Sequence, residues 1–361
     1  MQIILDRRAL HRIPELDRDL PETIAYVRAS LEKLSCTVFA PVESALCAFF
    51  DFGKDSAIAF RADMDALPIT ERTGLPFASE HPGRMHACGH DGHTAILLEL
   101  ARRLDEKKTL MHNVLLVFQS GEEMSGGAKI ICETGVFEKY KVEAIFGLHL
   151  WPELEEGVIH SREIELMSRS SEVHIRIEGK SAHIAKREAG IDALEAGFAL
   201  YASLRELEAS FPKDVRRILN FGRMESGTVL NAVSGFTRID GTMRVYQDDV
   251  FEKIQSGIRD RAAMIDEKYG THTKVGFTEG YYAVMNPPEL YRRVKAILDF
   301  AELAEPVLPT EDFSWYQRYG PGVFFFLGLG DVPPLHADTF TFDESILVKG
   351  ADFFTALAER F

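Results

Sequence analysis

The sequence predicts an α/β protein: a mostly parallel sheet with helices on both faces, plus an inserted α+β unit. Three observations carry that expectation. Before residue 168, helical patterns alternate with short, wholly apolar runs, as strands buried on both faces require. Near 168 the strands change to apolar–polar alternation, the mark of a sheet with one wet face. After Pro287-Pro288 the wholly apolar style returns.

In chain order, residues 20–34 (LPETIAYVRASLEKL) read as an amphipathic helix and AIAF at 57–60 as a buried strand. Residues 92–105 carry Ile96, Leu97, Leu100, Ala101 and Leu104 at helical spacing. NVLLVFQ at 113–119 and EAIFGLHL at 143–150 read as strands. In the middle region, SEVHIRIEG at 171–179 alternates, and a helix at 190–208 places Ile191, Leu194, Phe198, Tyr201 and Leu204 on one face. RILNFGRM and GFTRIDGTMRVY follow as strands, then a helix at 249–268 and the strand TKVGFTEG. A helix at 289–303 and the strand GVFFFLGL at 322–329 complete the chain's larger part. The expected division is therefore 1–167 with 285–361 as one domain and 168–284 as an insertion.

Composition narrows the function. The 361 residues carry a net charge of −15, with 46% hydrophobic and 27% charged residues, as in a soluble globular protein. Such a surface repels nucleic acid and anionic membranes, so neither is an expected partner. The opening MQIILDRRALHRIPEL lacks the order of a signal peptide, and no run approaches the ~20 apolar residues of a membrane span. The four cysteines, Cys36, Cys47, Cys88 and Cys132, are too few for a disulfide framework in a chain this long. The expectation is a reducing, cytoplasmic setting. Cys36, Cys47 and Cys132, with apolar neighbours, read as core residues. His11, His81, His112, His160 and His174 read as surface or structurally satisfied.

Four apolar strands run into reactive side chains at their carboxyl ends, where sites in open α/β sheets gather. AIAF leads to Asp63 and Asp65, and NVLLVFQ to Glu122 and Glu123. EAIFGLHL ends on His149, and GVFFFLGL leads to His336. The densest stretch is MHACGHDGH, holding His86, Cys88, His90, Asp91 and His93. Thiolate and imidazole suit Zn, Mn, Co or Ni. Cys88 and His90 flank Gly89 and can point the same way in a non-helical segment. With Glu123, His149 and His336 they make five ligands, enough for two divalent ions if one is shared. A thiolate can bridge two metals and a neutral imidazole, with one ring lone pair, cannot, so Cys88 is the expected bridge. Adjacent buried carboxylates at Glu122 and Glu123 need a cation between or beside them. One can ligate while the other takes a proton from water.

The chain resembles the di-metal aminoacylase/carboxypeptidase-type amidohydrolases. Within them it is most similar to the subgroup of hippurate hydrolases, indole-acetyl-amino-acid hydrolases and N-acetyldiaminopimelate deacetylases. The matching pieces are HRIPEL (11–16), FRADMDALPI (60–69), MHACGHDGH (85–93), FQSGEE (118–123), GLHLWP (147–152), GTVLNA (227–232), GTMR (241–244), EDFSWY (311–316) and LHADTF (335–340). The resemblance implies that Cys88, His90, Glu123, His149 and His336 hold two metal ions per chain, with Glu122 as general acid/base. It implies that Asp63 and Asp65 orient the metal shell. The inserted domain is implied to be a lid that also forms a homodimer. In it His183 would reach the reacting carbonyl, of its own or the partner subunit, while Asn231 and Arg244 would hold the substrate carboxylate. Arg187-Glu188 stand where the family often has Pro-His. The implied activity is hydrolysis of an N-acyl amino acid, the acyl group being acetyl, benzoyl or similar, with N-acetyldiaminopimelate among the implied substrates. A dipeptidase or aminopeptidase-like activity and a catalytically silent metal-binding homologue are the alternatives. A serine hydrolase is disfavoured because no Gly-x-Ser-x-Gly elbow occurs. GLGD and SGGA lack the full nucleotide-binding fingerprint.

Overall fold

The computed structural model describes residues 1–361. It divides into two compact units: Met1–Leu166 with Val284–Pro306 and Glu311–Phe361, and Met167–Ala283 with Val307–Thr310. The return segment at 307–310 lies with the smaller unit because hydrogen bonds tie it there. The Ser168 N–H donates to the Pro309 carbonyl at 3.2 Å, and the Tyr246 hydroxyl to that of Val307 at 2.9 Å. No local pattern in the sequence announces that segment.

The larger unit is built on an eight-stranded sheet in the order Thr37–Phe39, Leu46–Phe50, Asn113–Gln119, Ala57–Asp63, Val142–Trp151, Gly322–Gly328, Ile159–Ser161, Ala301–Glu302. The middle four strands are mutually parallel. The flanking pairings Leu46–Phe50 with Asn113–Gln119 and Gly322–Gly328 with Ile159–Ser161 are antiparallel. Ala57–Asp63, Asn113–Gln119 and Gly322–Gly328 are buried at every residue, which is why their sequences show no alternation. Side chains still leave them on alternate faces. Phe60 meets Phe354 of the helix Leu347–Arg360, while the next residue, Arg61, reaches Gln119 and Asp312. The four neighbouring parallel strands bring their carboxyl ends to one edge.

Two elements depart from the sequence pattern. The expected helix at 289–303 spans Pro288–Ile297, and Ala301–Glu302 is a short strand. Leu298 turns extended because it and Phe300 are buried, so packing outweighs helical spacing. The N-terminal helix Gln2–Arg12 was not legible as an apolar stripe because Asp6, Arg7 and His11 lie among its buried residues.

The smaller unit is a four-stranded antiparallel sheet in the order His272–Phe277, Arg169–Glu178, Phe236–Val245, Arg217–Ser226. Helices Ala193–Ser210 and Asp248–Tyr269 pack with Val173, Ile175, Ile177, Ile239 and Met243 into a separate core. The first helix corrects the sequence reading. Its buried residues are Ala193, Ala196, Gly197, Leu200, Leu204 and Leu207, while Leu194 (51% exposed) and Phe198 (71%) face outward with Tyr201. The apolar stripe chosen from the sequence is largely the outer face. The inner face was missed because its alanines and glycine carry little hydropathy. No helix is long and apolar enough to cross a membrane.

Candidate active site

The site of the larger unit begins with a turn. Gly89 has φ +85°, and a Cβ there would meet Leu150 Cδ1 at 3.1 Å, so both conformation and space favour glycine. The turn places Cys88 just outside, and His90 at the start of, the helix His90–Asp105. His336 lies in the loop after Gly322–Gly328, at φ +66°, and its N–H donates to the Ala87 carbonyl at 2.8 Å. That bond ties the His336 loop to the Cys88 loop.

Hydrogen bonds fix which lone pairs point inward. His90 Nδ1 lies 2.8 Å from the Asp65 carbonyl oxygen, to which it can only donate, so in the neutral ring Nε2 carries the lone pair. His149 Nδ1 likewise donates to the Leu150 carbonyl at 2.6 Å, leaving Nε2 3.4 Å from Cys88 Sγ. Glu123 Oε1 lies 3.3 Å from His336 Nε2 and 3.8 Å from His90 Nε2. His90 Nε2 and Glu123 Oε1 are both buried without a hydrogen-bond partner. Two donor triplets result, Cys88–His90–His149 and Cys88–Glu123–His336, each with its donor atoms within 4.8 Å of one another. Orphaned donors, fixed tautomers and a mixed sulfur, nitrogen and oxygen set fit divalent ions, and Cys88 belongs to both triplets.

The electrostatics are those of an acid-rich site that calls for cations. Burial lowers the His90 imidazole, but Asp63, Asp65 and Glu123 outweigh it and raise it to about 10 in the protein alone. Burial, then the charges of Glu123, Glu122 and Asp63, pushes the Cys88 thiol well above its usual range in the protein alone. A divalent cation inverts that preference. Burial, then His93, holds His149 neutral, as a ligand must be. Burial, then Glu311, Glu123, Asp312 and Asp63, pushes Glu122 well up. Glu122 shares a donor cluster with His90 and Glu123. Asp65 accepts the backbone N–H groups of Glu122 and Glu123 at 3.0 and 3.1 Å, which sets the direction of both.

A buried network that sequence reasoning missed supports the site. Arg61 donates to Asp63 and Asp312, each at 2.8 Å, and to Gln119 at 2.8 Å, and pairs with Glu311 at 2.9 Å. His93 bonds to Asp63 at 2.6 Å. Arg61 stands in FRADMDALPI and Glu311-Asp312 in EDFSWY, so the motifs held the residues without showing their pairing. Behind the site, His11 is buried against Asp91 at 2.8 Å and Glu71 at 3.3 Å, the satisfied structural position expected for it. Cys47 and Cys132 are buried and Cys36 half-buried, all free.

In the smaller unit, His183 and Asn231 lie on paired segments: His183 bridges to Ala232, and the Ile184 N–H donates to the Asn231 carbonyl at 3.0 Å. Both residues are exposed. His183 Nδ1 caps a short 3₁₀ turn by accepting the Ala185 N–H at 3.2 Å. Arg244 is half-buried and lies opposite Ser170, whereas Phe236 lies opposite Glu178. Eight residues of strand, about 26 Å, thus separate Arg244 from the sheet end that carries His183 and Asn231. Within one chain these three do not converge.

Fold and donor set define a class: α/β enzymes whose parallel strand ends carry a site for divalent cations. The model of peptidase family M20/M25/M40 matches residues 59–360. The chain belongs to this family and is a hydrolase. An uncharacterized hydrolase of Staphylococcus haemolyticus (strain JCSC1435) is 34% identical over 366 residues, covering 97% of this chain and 96% of the relative. The Bacillus subtilis YXEP protein, a dinuclear metal-binding peptidase of the M20 family, superposes with TM-score 0.86 at 31% identity, over 99% of this chain and 96% of that one. The Klebsiella pneumoniae aminobenzoyl-glutamate utilization protein shares the fold at TM-score 0.66 and 19% identity, over 100% of this chain and 95% of that one.

Proposed function

We propose that the chain is a metal-dependent amidohydrolase that removes the acyl group from an N-acyl amino acid. The observation that carries this reading is the pair of donor triplets sharing Cys88, with Glu122 beside them. Cys88, His90 and His149 would hold one divalent ion, and Cys88, Glu123 and His336 the other. When bound, such ions supply Lewis acidity and make water acidic near neutral pH. The protein's own groups do the rest. Glu122 takes the proton of the attacking water and hands it to the leaving nitrogen. Asp65 keeps Glu122 and Glu123 aimed by their backbone N–H groups. His183 donates to the carbonyl oxygen as it gains charge. Arg244, with its planar donors, and Asn231 hold the substrate carboxylate.

The separation of Arg244 from His183 and Asn231 supports their coming from two copies of the chain. Leu194, Phe198 and Tyr201 on the outer helix face, with the edge strand Arg217–Ser226, offer a surface for the second copy. This is the homodimer we propose. The four free cysteines support a reducing, cytoplasmic compartment.

The test is a hydrolysis panel on protein stripped with a chelator and reloaded with Mn²⁺, Zn²⁺, Co²⁺ or Ni²⁺. It contains N-acetyl and N-benzoyl amino acids, N-acetyldiaminopimelate and dipeptides. Metal-restored release of free amino acid from the N-acyl compounds is expected. Turnover confined to dipeptides would make the chain a dipeptidase, and none on any member would leave a silent metal-binding homologue.

A further inference from the structure

His93 has a place that neither the metal reading nor the family match assigns. It is 2% exposed and sits one helical turn into His90–Asp105. Its donor atoms fall into a third cluster, Asp63–His90–His93, which by distance alone could hold a metal. The hydrogen bonds argue otherwise. His93 Nε2 accepts the Leu150 N–H at 2.9 Å, and Nδ1 lies 2.6 Å from Asp63 Oδ1. A neutral imidazole has one N–H and one lone pair. The lone pair faces Leu150, so the proton is on Nδ1 and is donated to Asp63. Neither nitrogen is left for a metal.

What His93 does is set by the next bond. The peptide that donates to it belongs to Leu150, whose carbonyl accepts Nδ1–H of His149 at 2.6 Å. The two imidazole rings lie 4.5 Å apart at 64°. Asp63 is held from its other oxygen by Arg61 at 2.8 Å. The Leu150 side chain is wedged against the start of the helix, where a Cβ on Gly92 would meet its Cδ1 at 2.7 Å. Both ends of residue 150 are therefore clamped, and His149 is oriented through it.

We propose that His93 is a positioning residue for His149: it passes the anchorage of Arg61 and Asp63 through the backbone of Leu150, from its N–H to its carbonyl, to that ring and binds no metal itself. This rests on the reading of His149 as a ligand. Outer partners of a metal-bound histidine commonly change metal affinity 10- to 100-fold.

The experiment is a Co²⁺ titration of the metal-free full chain, followed by thiolate-to-cobalt absorption. Wild type should take two ions. His93→Asn, whose amide can still reach Asp63 but not Leu150, should still take two at saturation, one of them roughly 10- to 100-fold more weakly. His93→Gln, which can present an oxygen to the Leu150 N–H, should recover part of the loss. Unchanged affinities in a folded His93→Asn overturn the proposal, and so does complete loss of one ion, which would make His93 a ligand. Should His93→Asn not fold, ¹⁵N spectra of the wild-type histidines decide: His93 protonated on Nδ1 supports the relay, and protonation on Nε2 overturns it. Wild type taking fewer than two ions overturns the metal reading itself and the relay with it, whereas two ions with an indifferent His93→Asn removes only the relay.

Discussion

The two units treat their polar side chains in opposite ways. In the larger unit Asp63, His90, Glu122 and His149 are nearly free of solvent contact, and each is held by a buried hydrogen bond: Asp63 by Arg61 and His93, the two histidine rings by the carbonyls of Asp65 and Leu150, and the Glu122 backbone by Asp65. In the smaller unit His183 and Asn231 are exposed, and Arg244 lies a strand's length away. The difference separates two tasks. On the proposed reading, the buried groups hold cations and move a proton, and burial strengthens those interactions. The exposed groups, His183 among them, would be desolvated only when substrate and a second copy cover them.

Breaking the buried half has the largest effect. Glu122→Gln keeps shape and metal donors but removes the proton acceptor, so turnover should fall by roughly 10²–10⁴-fold with metal content unchanged, measured on the best substrate of the panel. A wild-type rate would remove Glu122 from the chemistry. The exposed half comes next. His183→Ala should fold normally and lose about 10²–10³ in kcat. Co-expressing it with Glu122→Gln sharpens the comparison, because mixed dimers regain an intact site only if His183 serves the partner subunit. No regained turnover places His183 in its own chain. Arg244→Ala removes a charge-assisted bond of about 1.5–3 kcal/mol, so KM for a carboxylate substrate should rise about ten- to hundredfold with little change in kcat. An unchanged KM moves the carboxylate site elsewhere.

The last effect leaves turnover at neutral pH alone and falls on stability at high pH. Burial pulls the His11 imidazole down, but the charge and hydrogen bond of Asp91 and the bond to Glu71 outweigh it and raise it to about 9. The folded value lies above the unfolded one, so this contribution is complete below pH ~6.5 and is lost as pH rises through 9. Its size is of order 3 kcal/mol. Denaturant midpoints should decline over that window in wild type and stay flatter in His11→Gln. Parallel curves would assign the decline to other groups.

Much of the larger unit was legible because its central strands are apolar at nearly every position and end on Asp, Glu and His. That pattern located Glu122, Glu123, His149 and His336, the histidine- and cysteine-dense MHACGHDGH located Cys88 and His90, and the structure brings them together. Arg61 and His93 were not legible as supports. An arginine or histidine in a motif has the same letter whether it faces water, a metal or three carboxylates. The helix Ala193–Ser210 shows the same blindness from the apolar side, since large hydrophobic residues marked its outer face and alanines its inner one.

Local sequence determined where strands and helices form and which reactive residues stand at their ends, because burial and backbone geometry impose periods that a single segment already carries. Only the tertiary structure decided which nitrogen of His90, His93 and His149 keeps its lone pair, that Asp65 aims two glutamates, and that Arg61 binds the remote pair Glu311 and Asp312 as well as its neighbour Asp63. Those depend on partners up to 251 positions apart, and hydrogen-bond direction exists only once both partners are in place.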